Sequence, residues 1–405
     1  MAVGEGFQGD IFPVAGIRLA AVASHIRYAN RLDLVLIELN EEANSVGVFT
    51  QNRFCAPPVS LARKHLAESS PRYFLINTGN ANAGTGAAGM AAAVRCCEGL
   101  AELAHVEMEN VIPFSTGVIG EPLPVDKLLQ GLPAAYAELA VNNWQTAARG
   151  IMTTDTRPKL VSERVTIAGE LVTITGFAKG AGMIKPNMAT LLAYVFTDAK
   201  INKSLLQDML NNVVNRSFNR LTVDGDTSTN DSCMLVATGC GKVEITSLQS
   251  SEAEVFLAAL NRAYQTLAID IVRDAEGASK FITIEICQGK SSTECLQIAY
   301  AIAESPLVKT AFFASDPNWG RILAAIGRAG VNDLDVEQIS VFLGEQQIVA
   351  HGGVFAGYTE AKGQAVMSQD EITIKVELAR GLCSETVWTS DLSLDYVRIN
   401  ADYRS

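Results

Sequence analysis

Histidine is scarce in this chain. Its 405 residues hold four, His25, His65, His105 and His351, and none falls in an HExxH or HxH pattern. Metal sites and Ser-His-Asp relays draw on imidazoles at recognisable spacings, so neither a metal nor such a triad is expected. Positive charge is also in deficit: 32 Lys and Arg face 44 Asp and Glu, a net charge of −12. Binding to nucleic acid needs clustered cations along the phosphates, so no nucleic-acid partner is expected, and the excess acid serves solubility. No run of about 18 apolar residues is present, which argues against a membrane span. The opening MAVGEGFQGD has neither a basic nor an apolar region, so no secretory signal is expected and a cytoplasmic location is. The eight cysteines form no CxxC pair, and read as free thiols of a reducing compartment.

What the chain does have is apolar residues, 48% of the total, enough to build a sizeable core in two or three units. Strands and helices mix throughout. YFLIN (73–77) reads as a buried strand and 89–104 as a helix of small residues. Residues 164–175 alternate around Ala168-Gly169, a hairpin signal. Leu205, Leu206, Met209, Leu210, Val213 and Val214 share one helical face. Val255, Phe256, Ala259, Leu260, Ala263, Tyr264 and Leu267 share another, on a helix opened by a Ser251/Glu254 capping box. FITIEIC (281–287), ISVFLGEQQIV (339–349) and EITIKVEL (371–378) read as strands. The hairpins favour largely antiparallel sheets with helices outside, a layered α/β fold and not a doubly wound parallel one. A break is expected near the middle.

Four stretches carry candidate chemistry. Gly84-Thr85-Gly86-Ala87-Ala88-Gly89 contains GxGxxG, but a dinucleotide site needs its turn directly after a strand, and the strand before it ends near Asn77. A Gly-rich turn beside a site fits better than a dinucleotide-binding module. The acidic run 224–231 fails the calcium-loop pattern, having Thr229 at the sixth position and Leu235 at the twelfth. It reads as a hydrogen-bonded turn. FSTGVIG (114–120) offers a hydroxyl and backbone N–H groups that could face an oxyanion.

The fourth stretch is GAGMIKPNMATLL (180–192). Its Thr190 hydroxyl is a weak nucleophile with no histidine nearby to serve as base. Cutting the chain after Ala189 would supply one, because the new α-amine of Thr190 would titrate near a pKa of about 8. Gly180, Gly182 and Pro186 suit the strained backbone that self-cleavage requires.

FAKGAGMIKPNMATLL resembles the cleavage and nucleophile motif of the glutamate N-acetyltransferase/ornithine acetyltransferase family of arginine biosynthesis. The resemblance continues through NTGNANAGTG (77–86), FSTGVIG (114–120), MTTDTRPK (152–159), VDGDTSTND (223–231), RDAEGASKF (273–281), DPNWGRILAAIGRAG (316–330) and YVRINADYRS (396–405), essentially the whole chain. It implies a layered αββα fold with antiparallel and mixed sheets, similar in layering to self-cleaving N-terminal-nucleophile hydrolases but differently connected. It implies cleavage between Ala189 and Thr190 into an α chain (1–189) and a β chain (190–405), assembled as α2β2. Thr190 becomes the nucleophile and Thr116 and Gly117 the oxyanion hole. Thr153, Lys179, Glu276, Asn400 and Ser405, with Thr190, match substrate-binding positions. The implied reaction moves acetyl from N2-acetyl-ornithine to glutamate by ping-pong exchange, with no cofactor. Some relatives also take acetyl from acetyl-CoA, and no residue here decides between the two types. Ala275 stands where many relatives have Gly, and Lys185 occupies a variable position. A self-cleaved aminopeptidase or amidase is the alternative that shares the same nucleophile.

Overall fold

The computed structural model describes residues 2–185 and 191–402. Pro186, Ala189, Thr190 and Ser405 of the sequence expectations lie outside the described residues.

Two sheets face each other. In the first, strands Ile17–Val22, Leu34–Leu39, Tyr73–Asn80 and Val111–Val118 lie in that order, antiparallel except for the last, parallel pair. In the second the order is Asn44–Phe49, Ser232–Ala237, Leu192–Thr197, Glu170–Lys179 and Lys159–Ile167, with one parallel pair, Leu192–Thr197 beside Ser232–Ala237. Aromatic side chains cement the facing surfaces: the Tyr194 ring lies 5.2 Å from Phe114 and 6.0 Å from Phe74, and Trp144 lies 5.4 Å from Phe196. Such tilted and edge-on pairs add about 0.5–1.5 kcal/mol each beyond area burial.

Helices cover both outer faces. Gly86–Ala104 and Val125–Ala137 pack on the first sheet, and Lys203–Asn215 and Ser251–Arg273 on the second. This is the expected αββα layering. A six-stranded mixed sheet follows, from Phe281–Gly289 to Cys383–Ser390, with its own apolar core against helices Ser292–Ala303, Pro306–Phe313 and Trp319–Gly327. Each of these three sheets contains one parallel pair, and the only wholly parallel sheet among the described residues is the two-stranded pairing of Lys200–Ile201 with Glu244–Ile245, far smaller than the sheet a dinucleotide-binding module uses.

Local sequence explains much of this. Ala168 (φ 51°) and Gly169 (φ 84°) make the two-residue turn whose twist suits a hairpin, joining strands Lys159–Ile167 and Glu170–Lys179. Helix Lys203–Asn215 buries the six residues expected of it, and Asn202 caps it by accepting from the Leu205 N–H at 2.9 Å. Three expectations need correction. The Ser251–Arg273 helix is capped by Ser250, whose hydroxyl accepts from Ala253 N–H; Ser251 is the first helical residue. Val255 is 41% exposed, because it lies off the stripe through Phe256, Ala259 and Ala263. Residues 339–349 form not one strand but a hairpin, Ser340–Leu343 and Gln346–Ala350, turning at Gly344 (φ 52°).

Candidate active site

The site forms where the two facing sheets end together. Strand Tyr73–Asn80 runs on to Asn80, past the end expected at Asn77, and breaks register against Val111–Val118 at Gly79–Asn80. Buried asparagines tie this strand end to the backbone carbonyls around it. Asn77 Nδ2 donates to Asn80 O (2.8 Å), Asn82 Nδ2 to Gly89 O (2.8 Å), and Ser115 Oγ to Asn77 Oδ1 (2.5 Å). From the second sheet, Asn230 Nδ2 donates to both Ala81 O (2.6 Å) and Ser115 O (2.9 Å). The Asn-rich motif is therefore scaffold, and it pins Thr116 and Gly117 in place. Gly117 has φ 135°, and a Cβ there would fall 2.3 Å from the Gly79 carbonyl carbon. Only glycine allows the two strands to approach so closely.

Opposite lies Lys179, at the end of strand Glu170–Lys179. Its ammonium donates to Thr116 Oγ1 (3.0 Å) and Thr153 Oγ1 (2.9 Å). Burial pushes its pKa below the usual lysine value, with neighbouring Lys159 adding to the fall and Asp155 opposing it. A buried charge cluster lies behind it. Lys159 Nζ donates to Asp155 Oδ1 (2.5 Å) and Asp274 Oδ2 (2.6 Å), all three side chains having no exposed surface. Asp155 also accepts from Gly180 N–H (2.8 Å) and Thr153 N–H (2.9 Å). Burial works to raise the Asp155 carboxyl, but the charges of Lys159 and Lys179 outweigh it and hold the group below the usual carboxylate range. Asp155 thus fixes Thr153, one of the two partners of the Lys179 ammonium, and Gly180, the residue after Lys179.

Glu276 comes from the turn after helix Ser251–Arg273. Its N–H donates to Ala181 O (2.9 Å), and its Oε2 accepts from Asn400 Nδ2 (2.7 Å) on the C-terminal helix Leu394–Ala401. The Glu276 carboxylate rests on Gly182, where a Cβ would fall 2.4 Å from Oε2. Asp224 holds the same loop, accepting from Met183 N–H (2.6 Å), Ile184 N–H (2.8 Å) and the Tyr396 hydroxyl (3.2 Å). The acidic run is the hydrogen-bonded turn expected beside a site. Met183 has φ 54°, unusual for a side chain of its size, so the loop leading toward the expected cut carries backbone strain.

Thr116, Gly117, Thr153, Lys179, Glu276 and Asn400 all line one cavity of about 260 Å³, together with Leu191, Ser228 and Asp231. Six expected residues, drawn from five separate motifs, are thereby brought together. Thr190 and Ser405 lie outside the described residues, but the chain resumes at Leu191 in the cavity wall. The site also contains residues given no role from sequence, Asp155, Asn230, Asp231 and Asp224, and it gives Gly182 a second one, as the floor under the Glu276 carboxylate. All sit inside motifs already singled out, so the signal was present. Which of several short polar side chains turns inward was not. The two departures are accommodated: Ala275 is buried, and Lys185 pairs with Glu304 at 2.9 Å.

The cavity faces a lysine and a carboxylate toward one small volume, beside the strand end where Gly117 sits. This layered α/β fold and its site are those of an enzyme acting on a small polar molecule. Residues 18–405 match the model of the ArgJ family. The chain is 54% identical to the arginine biosynthesis bifunctional protein ArgJ of Pseudomonas fluorescens and 55% identical to that of Psychrobacter arcticus, with 100% of each chain covered in both cases. This chain belongs to the ArgJ family. Among solved structures it is similar to the ArgJ bifunctional protein of Bacillus halodurans (35% identity, 52% of this chain and 99% of that one, TM-score 0.47). It is also similar to the ornithine acetyltransferase of Mycobacterium tuberculosis complexed with ornithine (34% identity, 44% and 93%, TM-score 0.38).

Proposed function

We propose that this protein is an acetyltransferase of arginine biosynthesis. It moves acetyl from N2-acetyl-L-ornithine to L-glutamate, and takes acetyl-CoA as a second donor, as the bifunctional names of its full-length relatives suggest. The observation that carries the reading is the gathering of Thr116, Gly117, Thr153, Lys179, Glu276 and Asn400 around one cavity in a chain of this family.

In this reading the chain cuts itself between Ala189 and Thr190, giving chains of residues 1–189 and 190–405. Strands Glu170–Lys179 and Leu192–Thr197 pair along their length, so the two chains stay in one sheet after the cut. The new α-amine of Thr190 takes the proton from its own hydroxyl, and Oγ attacks the acetyl carbonyl. Thr116 and Gly117 stabilise the oxyanion that forms, a task worth about 2.7–4 kcal/mol per donor in comparable sites. Lys179 pairs with the α-carboxylate of the amino acid, and Glu276, held by Asn400, with the side-chain ammonium of ornithine. Ser405 is a further substrate-binding residue, as the family resemblance implies. Ornithine leaves, glutamate enters, and its amine takes the acetyl group from Thr190. Every step uses groups of the chain and its substrates, so no cofactor is required. The cleaved chains assemble as α2β2 in the cytoplasm.

The test begins with the denatured mass of purified protein and N-terminal sequencing of its fragments. Two fragments, the second starting Thr-Leu-Leu-Ala-Tyr, are expected from wild type, and one uncut chain from Thr190→Ala. Wild type incubated with acetylornithine should gain one acetyl group on the 190–405 fragment and lose it on addition of glutamate. An uncut wild-type chain would overturn the mechanism. Acetyl lost to water at the same rate with and without glutamate would instead favour an amidase.

A further inference from the structure

Asp231 differs from every other buried aspartate around the site. Asp33 accepts from Ser24 and Ile26 N–H groups, and Asp391 from Ser279 and Lys280 N–H groups and the Ser279 hydroxyl. Asp155 and Asp274 are bound by Lys159 and by backbone N–H groups. Asp231 is 3% exposed and lines the cavity, yet its Oδ2 has no hydrogen-bond partner among the described residues. A buried polar atom left unsatisfied costs about 1–3 kcal/mol, so a purely structural role does not account for its presence.

Its backbone is held on every side. Thr50 N–H donates to Asp231 O (3.0 Å), Thr50 Oγ1 to Ser228 O (2.7 Å), and Ala56 N–H to Thr229 O (3.0 Å). On one side of it Asn230 binds the strand that carries Thr116, and on the other Ser232 N–H donates to Leu191 O (2.9 Å). Leu191 is the residue bonded to Thr190. The Asp231 backbone is therefore fixed between the strand of Thr116 and the start of the strand that follows the nucleophile, and its carboxyl lines the cavity there. Among the described residues the other charged groups facing the cavity are Lys179 and Glu276, which are engaged by Thr116 and Thr153 and by Asn400 respectively. Burial raises the Asp231 carboxyl well above the usual range, against the opposing pull of the Ser228 hydroxyl and the Lys179 charge. A carboxyl shifted in this direction holds its proton more tightly than an ordinary aspartate does.

We infer that Asp231 is the proton donor to the amine that leaves when acetyl passes to Thr190, and the acceptor of that proton when the second amine attacks. This rests on the acyl-transfer reading above. In the first half-reaction the Thr190 hydroxyl proton goes to its α-amine, the carbon–nitrogen bond of the donor breaks, and the departing nitrogen takes the proton from Asp231 Oδ2. A neutral amine, an acetyl ester, an α-ammonium and the Asp231 carboxylate result. In the second half-reaction the attacking nitrogen returns a proton to Asp231, and the α-ammonium returns one to Thr190 Oγ. The enzyme ends as it began. Two groups then share the proton traffic: the α-amine serves the hydroxyl, and Asp231 serves the substrate nitrogen.

The test compares two acetyl donors on the Asp231→Asn variant, after the denatured mass shows it is cut. Acetylornithine has a poor leaving group that must be protonated. The leaving group of p-nitrophenyl acetate departs as an anion and needs no proton. Loss of a general acid slows the first by about 10²- to 10⁴-fold, while burst acetylation by the second stays within about twofold of wild type. Equal slowing with both donors, or slowing with neither, would overturn the proposal. If the variant does not fold, wild type decides: across acetyl esters and amides of graded leaving-group basicity, the acetylation rate should depend only weakly on that basicity, and a steep dependence would rule out proton donation. Wild type that forms no acetyl-enzyme from either donor would instead defeat the acyl-transfer reading itself.

Discussion

Gly182→Ala is a small change with a calculable consequence. A Cβ at this position would lie 2.4, 2.5 and 2.7 Å from Oε2, Cδ and Oε1 of Glu276. Non-bonded contacts of this kind settle near 3.5 Å, so the carboxylate must recede by about 1 Å. Its backbone cannot follow, since Glu276 N–H is tied to Ala181 O at 2.9 Å. The side chain must therefore swing away, giving up the 2.7 Å hydrogen bond from Asn400 and its aim into the cavity. A hydrogen bond to a charged group is worth about 1.5–3 kcal/mol, which corresponds to roughly 10- to 150-fold in binding. In the proposed role Glu276 holds the ammonium of ornithine in ground state and transition state alike. KM for acetylornithine should then rise by that factor with kcat little changed. Steady-state kinetics on the cut enzyme measures this, and p-nitrophenyl acetate, which has no ammonium, serves as control. An unchanged KM would refute the placement of Glu276. Equal losses with both donors would show damage to the loop as a whole.

Gly117→Ala puts a Cβ against backbone atoms of Gly79 and Asn80 at 2.3–2.7 Å, where no side chain can yield. It should lower the melting temperature and, in whatever folds, cut kcat by about 10²- to 10³-fold, as loss of an oxyanion donor does. Asp155→Asn removes one partner of a fully buried ion cluster and should cost about 3–5 kcal/mol in denaturant unfolding at pH 7. The sign of its pH dependence follows from the lowered Asp155 pKa. The wild-type carboxylate contributes stability above its unfolded pKa of about 4 and loses it as pH falls further. The gap between wild type and variant should therefore narrow below about pH 4, and a gap that stays constant down to pH 2 would contradict the assignment.

Much of this molecule was legible from local pattern. The period-3.6 stripe in 205–214 specified which face of that helix is buried, and Ala168-Gly169 specified a hairpin, because both signals depend on neighbours a few residues away. Errors were local too. Ser250 caps where Ser251 was expected, since adjacent serines offer the same chemistry and only the entry angle of the chain selects one. FSTGVIG offered Thr116 and Gly117 from its own chemistry, whereas Thr153, Lys179, Glu276 and Asn400 were named only by the resemblance of their motifs to a known family.

What the linear chain could not contain was their convergence. Thr116 and Lys179 lie 63 residues apart in sequence and meet through a 3.0 Å hydrogen bond; Glu276 and Asn400 lie 124 apart and meet at 2.7 Å. Sheet register decides such contacts, and register depends on the packing of whole faces. For the same reason sequence could not distinguish Asp231 from Asp224 or Asp226. All three sit in one short acidic run, and composition assigns them alike. Only the fold places Asp224 on backbone amides of the 183–184 loop and turns Asp231 into the cavity with one oxygen unpaired among the described residues. The sequence by itself determined the layered α/β class, through local spacing, and the family and candidate residues, through motifs that resemble a known family. The tertiary structure alone decided how the aspartates lining and backing the site are satisfied among the described residues, because satisfaction of a buried polar group depends on partners that are distant in the chain.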